Sequence, residues 1–105
     1  MQISELEEIL KKENLLNVHI DGCVKQYVKE DDYDKEWNKV DVYGIFREEN
    51  GTYCVFITDS ERGIADFSDI YDTEDEACES LLKIIRREDR IYKKSLEWYT
   101  EKNKK

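Results

Sequence analysis

The feature that most constrains the fold is a pair of β-type segments on either side of an Asn-Gly dipeptide. Residues 40–47 and 53–59 are rich in Val, Ile, Tyr and Phe, which are the residue types favoured in strands. Asn50 and Gly51 lie between them, and both readily adopt the positive φ that a tight hairpin turn needs. The sequence therefore predicts a β-hairpin. A second turn signal at residues 60–63 leads into a third predicted strand over 64–71, which completes an antiparallel meander.

Two helices are predicted to flank this meander. Ser4 precedes Glu7 by three positions, which is the spacing of a capping box, and a short helix is expected over residues 5–13. Thr73 and Glu76 repeat that spacing, with acidic residues in the first turn, and begin a long helix that no proline interrupts. The apolar residues that recur at helical spacing along it are Ala77, Cys78, Leu81, Leu82, Ile84, Ile85, Tyr92, Leu96 and Tyr99.

The rest of the chain gives weaker signals. Residues 18–28 alternate in a manner typical of extended chain around an Asp21-Gly22 turn, and the acidic segment 30–36 is interpreted as an exposed connection. Together these elements predict one α+β domain over residues 1–105, in which a small antiparallel β-meander is packed by a long C-terminal helix and a short N-terminal helix.

The predicted strand 53–59 has apolar side chains on both faces. Tyr53, Val55 and Ile57 alternate with Cys54 and Phe56. A sheet covered by a helix on one face leaves the other face to solvent or to a partner. The sequence leaves open whether a partner or the N-terminal segment covers the second face.

Composition removes several classes of protein. No apolar run approaches the length needed to span a bilayer, and the N-terminal residues lack the basic and apolar pattern of a signal peptide, so a soluble cytoplasmic protein is expected. The three cysteines, Cys23, Cys54 and Cys78, are odd in number and far apart, which favours reduced thiols over disulfides or a zinc site.

Catalytic and metal-binding motifs are also missing from the sequence. His19 is the only histidine and is interpreted as an ordinary strand residue, and no Gly-rich phosphate loop or G-x-S-x-G motif is present. Asp66, Asp69, Asp72 and Asp75 recur every three residues, whereas a calcium loop places its ligands on alternate residues around a glycine. We expect no enzymatic activity, no metal site and no cofactor.

Charge is strongly segregated along a chain whose formal net charge is −9. Residues 59–79 contain nine acidic residues and one arginine, whereas residues 83–105 contain nine Lys or Arg and four acidic residues. An acidic field of this kind can steer a basic partner. Binding of nucleic acid by the basic segment is not expected, because the whole molecule repels phosphate and because Tyr92 and Tyr99 have the spacing of a packing face.

The segment from 53 to 82 carries a recognisable series of motifs. An aromatic-rich strand leads into Glu61-Arg62-Gly63, a further strand contains Phe67, and an acidic cap is followed by Glu-x-x-Ala-Cys at 74–78 and a leucine-rich helix. In these features the chain resembles small bacterial immunity proteins of polymorphic toxin systems, in particular the immunity protein 59 family. The resemblance implies a non-enzymatic inhibitor that binds and neutralises a cognate toxin.

The predicted contact surface combines the acidic segment with aromatic anchors, because interface energy concentrates in buried aromatic and Arg residues within a polar rim. The candidate partner-binding residues are Tyr53, Asp59, Glu61, Asp66, Asp69, Tyr71 and Asp72. The toxin is expected to present a basic surface, and neither nucleic acid nor a membrane is an expected partner. The alternative is a small acidic mimic of nucleic acid, or a regulator of a nucleic-acid enzyme in phage defence. The sequence does not predict the oligomeric state.

Overall fold

The computed structural model describes the backbone of residues 1–28, 40–58 and 65–103, and the side chains of these residues except 65–67 and 101–103. The described elements are α1 (Ile3–Lys12), β1 (Asn17–Ile20), β2 (Cys23–Tyr27), β3 (Val42–Arg47), β4 (Tyr53–Thr58), β5 (Ala65–Tyr71) and α2 (Glu74–Asn103). The predicted α+β class, with a long C-terminal and a short N-terminal helix, is confirmed. The acidic connection predicted at 30–36 lies outside the described residues.

The strands form one sheet in the order β1-β2-β3-β4-β5. All neighbours are antiparallel except β2 and β3, which pair in parallel through Gln26 with Val42 and Tyr27 with Tyr43. The predicted meander is therefore present as β3 to β5, and the hairpin β1–β2 extends it to five strands. Asp21 and Gly22 both have positive φ in the first hairpin turn, as does Gly51 in the turn between β3 and β4.

The beginning of α2 follows the sequence signal, whereas the beginning of α1 does not. The Glu76 backbone N–H donates to Thr73 Oγ1 at 3.2 Å, as a capping box requires. Helix α1 instead begins at Ile3, after Gln2 and without a side-chain cap, so the predicted capping box at Ser4 is wrong. Helix α1 begins earlier because a residue of α2 supplies the missing cap. The Ile3 N–H donates at 2.7 Å to the Glu74 carboxylate.

Both helices pack on the same face of the sheet. Leu6 and Leu10 of α1 share one buried cluster with Ala77, Leu81 and Ile85 of α2 and with the inward residues of β1 to β4. The second face carries a smaller buried cluster of Val28, Val42 and Phe56, with Phe46 packed against it. Helix α1 therefore does not cover that face, contrary to one of the two expectations from the sequence.

Helix α2 is longer than the sheet it covers. Its 30 residues rise about 45 Å at 1.5 Å per residue, and the longest dimension of the molecule is 57 Å. Residues 77–85 supply its buried side chains, and every side chain from 93 to 100 is exposed. The predicted apolar stripe through Leu96 and Tyr99 therefore continues past the buried core, and the side chains of both residues are exposed. No helix within the described residues is long and apolar enough to cross a membrane.

Candidate functional site

Two tyrosines and an arginine lie side by side on three neighbouring strands at one end of the sheet, on the face that the helices cover. Tyr53 of β4 is paired directly with Tyr71 of β5, and both are half-buried against the main core. Arg47 of β3 pairs with Tyr53 from the other side, and its guanidinium carbon lies 5.5 Å from the centre of the Tyr53 ring. The two predicted aromatic anchors are thus brought together and held by neighbours on both sides.

Asp69 completes this arrangement at the margin of the sheet. Its Oδ1 accepts a hydrogen bond from the Ile70 N–H at 2.9 Å, and its Oδ2 accepts one from the Tyr71 hydroxyl at 3.1 Å. The same hydroxyl lies 2.5 Å from Ser80 Oγ of α2. The position of Tyr71 is therefore fixed between the margin of the sheet and the helix, while the Asp69 carboxylate remains exposed.

The bonding of Asp69 also has a purely structural interpretation. Strand β5 is the last strand of the sheet order, and a charged side chain that accepts a backbone N–H there discourages edge-to-edge pairing with another chain. The two roles are compatible, because a carboxylate that protects the edge is still available to a cationic group of a partner.

The structure tests only part of the predicted contact set. Asp72 directly follows Tyr71 at the end of β5 and is exposed, so its carboxylate adds to the charge at this edge of the sheet. We call Tyr53, Asp69, Tyr71 and Asp72 the acidic edge. Asp59 and Glu61 lie outside the described residues, and Asp66 is described only in its backbone, within β5.

Within the described part of the 59–79 segment, two acidic residues are engaged with the N-terminal residues of the chain. Glu74 accepts the Ile3 N–H, and Asp75 forms an ion pair with the Met1 ammonium. Both therefore attach α1 to the beginning of α2. Glu76 remains exposed one helical turn before Ser80, so it lies beside the acidic edge and adds to its negative charge.

The described residues show no arrangement suited to metal binding, and two of the three thiols are buried. They contain no cluster of three or more His, Cys, Asp or Glu side chains that could hold a metal ion. None of the three cysteines forms a disulfide. Burial raises the pKa of the Cys54 thiol, and burial together with the charge of Glu74 raises the pKa of the Cys78 thiol to about 12.

A second surface was not predicted from the sequence. Four large apolar side chains of α2 are exposed by 47 to 64%, and we call them the distal helix surface: Ile91, Leu96, Trp98 and Tyr99. Helical spacing identifies these residues as an apolar face, but only the extent of the sheet shows that their side chains are exposed. Patches of this kind mark interaction sites.

A groove of about 340 Å³ adjoins the distal helix surface, between α2 and the turn that joins β1 to β2. On its wall the His19 ring stacks on Tyr92, with centroids 3.8 Å apart and planes 1° from parallel. His19 thus attaches the edge strand β1 to the helix. The full lining comprises His19, Asp21, Gly22, Glu88, Ile91, Tyr92 and Ser95.

No protein-family model, curated protein or solved structure matches this chain. The function is therefore argued from the two surfaces described above and from the motifs at 53 to 82.

Proposed function

We propose that this protein is a non-enzymatic immunity protein that binds and neutralises a cognate bacterial toxin through the acidic edge. The toxin is implied by the resemblance of residues 53 to 82 to immunity proteins. The observation that carries the proposal is that exposed Asp69 and Asp72 adjoin two tyrosines held in place by the sheet and by α2.

Preorganisation is the first argument for this surface. Tyr71 is bonded to both Asp69 and Ser80, and Tyr53 lies between Tyr71 and Arg47. A partner that packs against these rings meets side chains that have already lost most of their conformational freedom. Anchors of this type, surrounded by polar groups, concentrate binding energy.

Charge is the second argument. Asp69, Asp72 and Glu76 are all exposed, and the sequence contains no Lys or Arg between residues 68 and 82. Exposed Arg47 beside Tyr53 supplies one positive charge against these three carboxylates, so this part of the surface keeps a net negative field. Such a field accelerates encounter with a basic surface and opposes encounter with an acidic one.

The nucleic-acid mimic is a weaker interpretation of the same charges. A mimic needs carboxylates spread along an extended surface, whereas Glu74 and Asp75 are engaged with α1. Downstream on α2, exposed Lys83, Arg87 and Arg90 interrupt any acidic array. The compact acidic edge fits a protein partner better than an enzyme that follows a phosphate backbone.

The proposal is tested with the double variant Asp69→Lys and Asp72→Lys, using the product of the neighbouring toxin gene as the binding partner. Removal of two exposed carboxylates should weaken binding about tenfold or more, mainly through slower association. For the unaltered protein, about 0.5 M salt should slow association severalfold and change dissociation less.

The matched control is Glu8→Lys with Glu97→Lys, which makes the same change in net charge at exposed helix positions. It should alter affinity by less than about threefold. Thermal unfolding of each free variant separates lost binding from lost folding. Full binding by the Asp69/Asp72 variant, or equal losses in both double variants, would refute the acidic edge as the contact surface.

A further inference from the structure

We propose that the partner of the acidic edge adds an extended, cationic strand to β5, so that the sheet continues into the partner. The inference rests on the proposed function, because it takes the same contact surface, and it adds the backbone conformation and the side-chain pattern that the partner must have. That pattern places a basic side chain beside Asp69 and a β-branched side chain beside Ile70.

Strand β5 is an accessible edge of the sheet. It is the last of the five strands, and three consecutive residues, Ser68, Asp69 and Ile70, are exposed although successive side chains point to opposite faces. The other outer strand, β1, has only four residues and is attached to α2 by the stacking of His19 on Tyr92. A partner that pairs through its backbone needs an accessible edge, which β5 provides.

The backbone of β5 directs hydrogen-bonding groups away from the sheet. In an antiparallel pair, alternate residues turn their N–H and C=O groups toward the neighbouring strand, and the residues between them turn these groups away. The Ile70 N–H donates to the exposed Asp69 carboxylate at 2.9 Å, so Ile70 is one of the outward residues. Ser68 is the next outward residue, two positions earlier.

The register of the sheet gives the same result. The Glu48 N–H donates to the Thr52 carbonyl, so the even-numbered residues of β4 turn their backbone groups toward β3 and the odd-numbered ones toward β5. Val55 therefore faces Asp69, its partner in the register, and Asp69 turns its backbone inward. Ile70 can then pair with an added strand without the loss of a bond to β4.

Asp69 makes this edge selective for a cationic strand. While its carboxylate accepts the Ile70 N–H, a neutral or acidic strand, including β5 of a second copy, meets an occupied donor and a negative charge. A Lys or Arg side chain of the partner attracts the carboxylate and releases the N–H to a backbone carbonyl of the added strand. Exposed Asp72 and Glu76 favour the same cationic partner.

The side chains of β5 determine the alternation in the partner. Residues directly opposite each other in an antiparallel pair lie on one face, with Cβ atoms about 5 Å apart. Ile70 is 60% exposed and is paired on its inner side with buried Cys54, so an apolar residue opposite Ile70 continues this row. The next residue of the added strand lies opposite Asp69 on the other face, where a basic side chain meets the carboxylate.

Nuclear magnetic resonance of the isotope-labelled protein tests the proposal with the peptide acetyl-Lys-Thr-Lys-Val-Lys-Thr-amide as the probe. With its valine opposite Ile70, the flanking lysines lie opposite Asp69 and Tyr71. At about 2 mM peptide, amide exchange of Ser68 and Ile70 should slow about fivefold, as expected for a dissociation constant of about 0.5 mM. The amides of Asp69 and Tyr71 face β4 and should change little.

Two matched peptides separate charge from backbone pairing. Replacement of the three lysines by glutamate should abolish the effect on amide exchange. Methylation of the valine nitrogen keeps the charge but removes the central N–H, and it should weaken binding about fivefold or more. In the protein, Asp69→Asn keeps an acceptor for the Ile70 N–H but removes its charge, so it should reduce the preference for the lysine peptide.

Unchanged exchange at Ser68 and Ile70 would overturn strand addition, and so would equal protection by the lysine and glutamate peptides or by the methylated peptide. These measurements use no toxin. Their failure, combined with a loss of toxin binding in the Asp69→Lys and Asp72→Lys variant, would leave the proposed function standing and exclude only this mode of contact.

Discussion

Replacing Lys25 by methionine should destabilise the fold far more than the same change at an exposed lysine. Lys25 is only 3% exposed, and its Nζ donates to the Thr58 carbonyl at 2.7 Å and to Asp41 Oδ1 at 3.0 Å. Methionine has a similar length and fills the same space, but it donates no hydrogen bond. The variant therefore removes the hydrogen bond to the buried Thr58 carbonyl and the ion pair with the Asp41 carboxylate.

The expected magnitude follows from these two bonds. Hydrogen bonds to charged groups contribute about 1.5 to 3 kcal/mol each. The Asp41 side chain keeps 28% of its accessibility and can be partly rehydrated, which places the loss near the lower end of that range. The free energy of unfolding should fall by about 3 kcal/mol, which corresponds to a drop of more than about 10 °C in the thermal midpoint of a small domain.

Urea unfolding followed by circular dichroism measures this loss. The matched control is Lys93→Met, because Lys93 also pairs with an aspartate, Asp89 at 2.8 Å, but its side chain is 67% exposed. That variant should change stability by no more than about 0.5 kcal/mol. A loss below about 1 kcal/mol for Lys25→Met, or equal losses in the two variants, would contradict the reasoning.

Two further predictions concern buried titratable groups. In the native protein near pH 8, a thiol reagent should modify half-buried Cys23 well before Cys78, because burial and the charge of Glu74 raise the pKa of the Cys78 thiol to about 12. Equal rates of modification would contradict this prediction and show that the beginning of α2 opens readily. Burial also raises the pKa of Tyr43 above its usual value of 10.0, and its neutral phenol donates to the Leu15 carbonyl. Its contribution to stability is present below pH 10 and lost as the pH rises further, so Tyr43→Phe should flatten the alkaline limb of a stability–pH curve; an unchanged limb would contradict this assignment.

Local signals predicted much of the fold. The Asn50-Gly51 turn gave the β3–β4 hairpin, and the Thr73 cap gave the beginning of α2 to within one residue. In both cases the determining contacts join residues only a few positions apart, so the sequence contains the information directly. The predicted meander makes 53–59 and 64–71 neighbouring strands for the same reason, whereas the direct pairing of Tyr53 with Tyr71 was not predicted.

Contacts between distant segments account for what the sequence could not show. The parallel pairing of β2 with β3 and the burial of Lys25 both depend on Asp41 and on β4, which no local pattern near Lys25 signals. The beginning of α1 depends on Glu74, more than 70 residues away. Exposure of Tyr99 depends on where the sheet ends, whereas helical spacing reports only which side of α2 is apolar.

The parallel junction between β2 and β3 has a consequence for the order in which the chain folds. Within the described residues it consists of two residue pairs and two flanking backbone hydrogen bonds, so the sheet joins the N-terminal hairpin to the meander over a short length. The stronger attachment comes from α2, which packs against the N-terminal hairpin and against the meander in one core. Helix α2 is also bonded to α1 and its flanking residues by contacts between residues 71 to 74 positions apart, including the Arg86–Glu13 ion pair. Closure of such long loops is slow. During synthesis the N-terminal hairpin and α1 therefore gain these attachments only after α2 has emerged from the ribosome.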